Sequence, residues 1–334
     1  MIWHNIELFN ITETESRLDG ALRLYRFSDS ARKAFSQSRE ISALSVGNLT
    51  TGCELRFGGD SAHVLLSAQN NKATVEIYRG DFFYRVETLE VGVVKSIELR
   101  KDSIMDSIFP SDYQGRFSPN VWRIIFGHDC SIVVHDVQPL SEIRPPLATE
   151  LPKKKILAYG SSITHSACSV LYTNSYVYNV GRLTGTDVLC KGMGGNCLIQ
   201  KEVADYISQE DWDIAMLELG INMVDNYPVE VFKERANYLI KHILEQGKPV
   251  VLISNFMCMK NLSNNQFHQA NNDYVACLEE LYKALKCDNL YYIRGQEILN
   301  EWDYLSADLI HPNPFGHVEM GRKIAAKLKE FGIL

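Results

Sequence analysis

The stretch KKILAYGSSITH, residues 154–165, decides how the second half of the chain folds. Lys154 and Lys155 lead into Ile156, Leu157, Ala158 and Tyr159, which show no polar–apolar alternation, and Gly160-Ser161-Ser162 then ends the run. A short, nearly continuous apolar run closed by a Gly-Ser turn reads as a strand buried on both faces, the habit of parallel sheets. Four runs of the same kind follow: TDVLCKG (186–192), DIAMLELG (213–220), PVVLISN (249–255) and LYYIRG (290–295). Between them the pattern turns helical. In VEVFKERANYLIKHILEQG, Phe232, Ala236, Leu239, Ile240, Ile243 and Leu244 form one apolar stripe, and Gly247 follows as a stop. QFHQANNDYVACLEELYKALK and HVEMGRKIAAKLKEF behave alike. Alternating strand and helix predicts a three-layer α/β/α domain with a five-stranded parallel sheet over residues 154–334.

Upstream the pattern differs. CELRFGG (53–59), AHVLLSAQ (62–69), ATVEIYRG (73–80), YRVETLEV (84–91), KSIELRK (95–101), VWRIIFG (121–127) and SIVVHDVQ (131–138) are rich in β-branched and aromatic residues, several alternate, and turn residues separate them. No stretch here shows a convincing 3.6-residue period. Residues 1–145 are therefore expected to form an all-β sandwich, jelly-roll-like. Pro139, Pro145, Pro146 and Pro152 stiffen the connection, and residues 146–153 are read as an extended linker.

Composition narrows the functional classes. With 334 residues, 46% of them hydrophobic and 22% charged, either half can bury its own core. A net charge of −7 and the lack of a basic stripe argue against nucleic acid; Lys153-Lys154-Lys155 is too short a footprint. No apolar run approaches the roughly 18 residues of a membrane span. The N-terminal residues lack the three parts of a secretory signal, and the eight cysteines form no CxxC pair, so the expected setting is the cytoplasm with reduced thiols.

In an open α/β sheet, ligands gather at the carboxyl ends of the strands. Those ends carry Gly160-Ser161-Ser162-Ile163-Thr164, Gly192-Met193-Gly194-Gly195-Asn196, Gly220-Ile221-Asn222-Met223 and Asn255-Phe256-Met257, while Asp308-Leu309-Ile310-His311-Pro312 precedes the last helix. A serine on a tight turn between a buried strand and a helix is exposed near backbone N–H groups and the positive end of a helix dipole. His311 can act as its base, with Asp308 orienting the imidazole. Gly195 offers an unobstructed N–H and Asn222 a side-chain amide. Alone, each piece reads as a turn, a cap or a loop residue; their order at successive strand ends makes them acyl-transfer equipment.

That ordered set resembles the GDSL, or SGNH, serine hydrolase superfamily over roughly residues 153–330. GSSIT stands for the GDSIT-like first block, CKGMGG for the second, GINM for GxND, and DLIHP matches DxxHP intact. The resemblance implies an SGNH hydrolase domain with a flavodoxin-like sheet. It makes Ser162 the nucleophile, Asp308 and His311 the remainder of the triad, and Ser162, Gly195 and Asn222 the oxyanion donors. It implies neither cofactor nor metal. The strand-rich front looks like the jelly-roll module preceding the hydrolase in some members, among them carbohydrate deacetylases and a subgroup with GSSITH. Three positions depart from the blocks: Ser161 replaces an Asp, Cys190 an Asn and Met223 an Asp.

Ser161, His165, Asn255 and Met257 are further candidates to touch substrate, although a helix-start or solvent-facing role suits His165 equally. His317 reads as structural. His128, Asp129 and His135 fall across a turn where strand geometry does not force them together. Trp122 and the aromatic run Tyr78 to Tyr84 suit a sandwich core better than a sugar platform. The expected activity is hydrolysis of small acyl esters, acetyl esters of a carbohydrate foremost. Acyl transfer through the same acyl-enzyme is one alternative, and a glycan-binding protein with a vestigial hydrolase domain is another. The expected partner is a small-molecule or carbohydrate ester, with homo-oligomer formation left open.

Overall fold

The computed structural model describes residues 1–37, 45–108 and 113–334. The chain forms two compact units: Met1–Asp29 with Gly47–Lys153, and Ser30–Val46 with Lys154–Leu334.

The first unit is an antiparallel β-sandwich. One sheet has the order β1 (Ile2–Trp3), β2 (Ile6–Phe9), β5 (Glu54–Gly58), β10 (Val121–Phe126), β7 (Ala73–Arg79), β8 (Phe82–Leu89). The other runs β3 (Glu13–Ser16), β4 (Leu22–Tyr25), β11 (Ile132–Pro139), β6 (Ser61–Ala68), β9 (Lys95–Arg100). Alternate residues of both sheets, among them Leu55, Ile77 and Ile124 from the first and Val64, Leu66 and Val134 from the second, merge into one core cluster. That shared core makes the pair a sandwich. The alternation fails on β5 and β10, where Glu54, Arg56 and Arg123 are buried as well. Arg123 grips Glu54 with Nε and Nη2 at 2.9 and 2.7 Å, and Arg56 Nε reaches the same carboxylate at 2.8 Å. The two arginines overcome the cost of burial and hold Glu54 far below the usual carboxylate range.

Two features of residues 1–145 escape the pattern reading. Strands β1 to β4 span at most four residues each, too few for a period to emerge. A helix at Asp29–Gln37 buries Ala31 and Phe35, one turn apart, in a segment expected to hold none.

The second unit holds the parallel sheet, in the order β13 (Asp187–Gly192), β12 (Lys155–Gly160), β14 (Ile214–Glu218), β15 (Val250–Ile253), β16 (Leu290–Ile293). Helix α1 (Tyr176–Thr184) packs on α5 (Pro314–Glu330), while α2 (Lys201–Ser208), α3 (Val229–Leu244) and α4 (His268–Leu285) form the other group. Helix α3 buries Phe232, Ala236, Leu239, Ile240 and Ile243; Leu244, at its end, is half-buried. From β12 the chain goes to one side for β13 and to the other for β14, so β12 ends at the topological switch point, where such sheets take their ligands. Among the described residues no helix is long and apolar enough to cross a membrane.

Candidate active site

Ser162 lies two residues beyond β12, half-buried. The segment after it makes hydrogen-bonded turns, His165 N–H to Ser161 C=O at 2.9 Å and Ala167 N–H to Ser162 C=O at 2.9 Å, and after a single 3-10 turn at Tyr172–Asn174 the next α-helix begins only at Tyr176. The expected helix dipole at the serine is thus reduced to a turn. His311 comes from the loop before α5. Asn313 caps that helix by accepting from Gly316 N–H at 2.9 Å, Pro314 opens it, and Ser306 N–H donates to His311 C=O at 2.7 Å, closing the loop.

These two loops bring three of the predicted residues together. Ser162 Oγ is 2.8 Å from His311 Nε2, and His311 Nδ1 is 2.6 Å from Asp308 Oδ2. With Nδ1 donating to the carboxylate, Nε2 is the acceptor facing the serine. Asp308 Oδ1 also accepts from the N–H groups of Ile310 and His311, at 2.9 and 3.0 Å. Partial burial works against the charge of Asp308, but the His311 ring and these two N–H groups outweigh it and hold the carboxyl below its ordinary range.

The second block sits beside this relay. Met193 N–H donates to Gly160 C=O at 2.8 Å. A Cβ at Gly192 would lie 2.3 Å from the His165 nitrogen, which explains the glycine there. Gly195 has φ +69°, the left-handed region that favours glycine. Asn222 is oriented by its own carbonyl, whose Oδ1 accepts from Cys197 N–H at 3.1 Å, leaving Nδ2 on the other side. Among the described residues, the Ser162 N–H, the Gly195 N–H and Asn222 Nδ2 donate to no protein acceptor.

Residues 153–329 match the GDSL-like Lipase/Acylhydrolase family. The chain belongs to that family. Membership makes it a carboxylic ester hydrolase by class, and the jelly-roll-like sandwich ahead of an α/β domain recurs in solved structures. The salicylyl-acyltransferase SsfX3 of a tetracycline biosynthetic pathway is 14% identical with a TM-score of 0.83, covering 99% of this chain and 96% of that one. A protein of Bacteroides ovatus assigned as a GDSL-like lipase is 17% identical with a TM-score of 0.72, covering 98% and 96%. A family two carbohydrate esterase from Cellvibrio japonicus is 13% identical with a TM-score of 0.65, covering 98% and 95%. No curated protein sequence matches the chain.

The remaining candidates of this acylhydrolase fall mostly beneath the site. Ser161 is fully buried, and Asn255 is buried with Nδ2 donating to Asn271 Oδ1 at 2.9 Å. His165 is 1% exposed, which removes the solvent-facing reading. Met257 is half-buried. His317, fully buried, accepts from Tyr176 N–H at Nδ1 (3.3 Å) and donates from Nε2 to Ala167 C=O (2.8 Å), so its neutral tautomer ties α5 to the serine loop. His135 pairs with Ser67 Oγ at 2.8 Å.

One residue escaped the motif reading altogether. Glu218, the last residue of β14, is fully buried under the serine loop, and its Oε2 accepts from Ser161 N–H at 2.7 Å and Thr164 Oγ1 at 3.1 Å. Burial pushes its carboxyl up to about 7, against the pull of its Ser161 and Thr164 hydrogen bonds. The signal was available: an acid in an otherwise apolar run, and a serine where the first block has its acid.

Proposed function

We propose that this acylhydrolase is a serine esterase for small acyl esters, with acetyl esters of a carbohydrate as the first substrate class. The observation that carries this reading is the continuous relay Ser162 Oγ–His311 Nε2–Asp308, at 2.8 and 2.6 Å. In it His311 takes the proton of Ser162 Oγ as the oxygen attacks the ester carbonyl. Asp308 keeps the ring in the accepting tautomer and stabilises the imidazolium. The unengaged Ser162 N–H, Gly195 N–H and Asn222 Nδ2 are the donors to the tetrahedral oxyanion. His311 then protonates the leaving alcohol, and water repeats the sequence on the acyl-enzyme. Ser161, Thr164 and Glu218 hold the serine loop from below and touch no reacting atom.

The carbohydrate preference is supported by the Cellvibrio japonicus esterase, which shares both domains. A second reading, transfer of the acyl group to an acceptor hydroxyl, is supported by the SsfX3 match over 99% of this chain. Release of p-nitrophenol from acetate, butyrate and octanoate esters, with and without acetylated and free sugars, separates the two. Acetate turnover that is lost in Ser162→Ala supports the esterase. Turnover that rises only when a sugar hydroxyl is supplied, with acylated sugar as product, favours transfer. Ester turnover that survives in Ser162→Ala contradicts both.

A further inference from the structure

Outside the catalytic relay but beside it lies Cys168. Its sulfur, a carboxylate oxygen of Asp308 and a ring nitrogen of His311 all lie within 4.8 Å of one another, the only such group of three among the described residues. We infer that Cys168, Asp308 and His311 form an inhibitory site for a thiophilic divalent cation of the zinc type.

The donor set selects the ion. A thiolate, an imidazole and a carboxylate suit zinc or cadmium, whereas magnesium and calcium prefer oxygen alone. The charges also close: a thiolate and a carboxylate neutralise a divalent ion, with the imidazole neutral. In a tetrahedral zinc site with bonds of about 2.0–2.3 Å, donors stand roughly 3.5 Å apart. The widest separation therefore has to close by at most about 1.3 Å, while the His311–Asp308 pair, 2.6 Å apart, has to open by about 1 Å to admit an ion between them, both movements of the size that side-chain rotation gives. Cys168 is exposed, so an ion can enter and keep water as its fourth ligand.

The backbone that carries the thiol is also held where it is. Ser169 Oγ lies 2.8 Å from the carbonyls of both Ser166 and Leu171, which share its one proton, and His317 Nε2 holds Ala167 C=O on the other side of Cys168. The loop carrying the sulfur is thus fastened on both flanks, which lowers the ordering cost of binding.

Binding would silence the base by tautomer chemistry, a step that rests on the triad reading above. The thiol releases its proton to solvent as sulfur binds the metal. Metal on His311 Nδ1 leaves the single ring proton on Nε2, which then donates to Ser162 Oγ instead of accepting from it. Metal on Nε2 removes the acceptor directly. Cys168 itself touches no reacting atom, so its replacement leaves basal turnover in place.

The test compares the full chain with Cys168→Ser. Ester turnover is followed against zinc chloride and then a chelator, and cadmium is titrated while thiolate-to-metal absorbance is recorded in the ultraviolet. The expected result is zinc inhibition of the wild type that the chelator reverses. Cys168→Ser should turn over normally without metal and need on the order of 10–100-fold more zinc for the same inhibition. The cadmium–thiolate band should appear in the wild type and not in the variant. Equal zinc sensitivity in both chains, or no difference in the cadmium band, overturns the inference. Where no ester is turned over, the rate at which a fluorophosphonate labels Ser162 replaces turnover in the same comparison. Failure of the triad reading is seen separately, as turnover that survives Ser162→Ala without any metal, while the cadmium band reports the site on its own.

Discussion

Two carboxyl groups flank the Ser162 loop, one below it and one at its rim, and their surroundings push them in opposite directions. Glu218 is sealed beneath the loop, binds Ser161 and Thr164, and is raised to about 7 because burial penalises its charge. Asp308 is exposed at the rim, takes three hydrogen bonds from the His311 ring and two N–H groups, and is lowered. Asp308, which in the proposed mechanism stays charged to steady an imidazolium, is exposed and well supplied with donors. A group that only has to accept from a loop can be dry, and at about 7 Glu218 keeps its proton through the mildly acidic range. In the proposed mechanism the same functional group thus supports proton transfer in one place and architecture in the other, and environment sets which.

One isosteric exchange, carboxyl to carboxamide, made in both places breaks or sharpens this contrast. Asp308→Asn should lower kcat on the order of 10⁴-fold, because an amide no longer fixes the His311 tautomer. Steady-state turnover checks it, and a loss under tenfold would erase the difference between rim and floor. Asn222→Ala should cost on the order of 10²–10³ in kcat with little change in KM, as expected of a donor engaged chiefly in the transition state. An effect confined to KM would make Asn222 a substrate-binding group instead. Glu218→Gln should change kcat by less than about tenfold, since a glutamine oxygen still accepts from Ser161 and Thr164.

The smallest expected effect concerns stability. Between the ordinary glutamate value of 4.5 and about 7, folded Glu218 keeps a proton that the unfolded chain has lost. The folded state binds more protons in that window, so this group's contribution to stability falls as pH rises from about 4.5 to 7 and is level above it. Asp308 has the opposite sign: its contribution is present above its unfolded value and is lost as pH falls. Denaturant unfolding at several pH values should show that Glu218→Gln gains on the wild type as pH rises towards 7. Parallel profiles would mean that Glu218 is ionised in both states.

The same contrast explains what could be read from the sequence. Asp308 and His311 were legible because DLIHP keeps them three residues apart in one loop, and Ser162, Gly195 and Asn222 because each follows the end of a buried apolar run. Glu218 was hidden inside such a run: DIAMLELG reads as strand, and its partners Ser161 and Thr164 lie more than 50 residues away in sequence. Likewise Glu54 meets Arg123 across 69 residues, so nothing in the local pattern of either strand marks the charge network that the fold buries. Periodicity and local motifs report what neighbouring residues do. They carry no record of a buried polar pairing between distant strands, nor of a four-residue strand such as Glu13–Ser16. The loop after Ser162 taught a further lesson: the turn was legible, but its hydrogen-bonding as turns rather than a helix depends on contacts such as His317 to Ala167.

The most direct test of the central claim is covalent: react the folded chain with a fluorophosphonate and locate the adduct by peptide mass spectrometry. The account predicts a single phosphonylated residue, Ser162, with fluoride as the leaving group, and labelling that is strongly slowed in Asp308→Asn and hardly altered in Glu218→Gln. Labelling at another residue, or none on a folded protein that turns over esters, would contradict it.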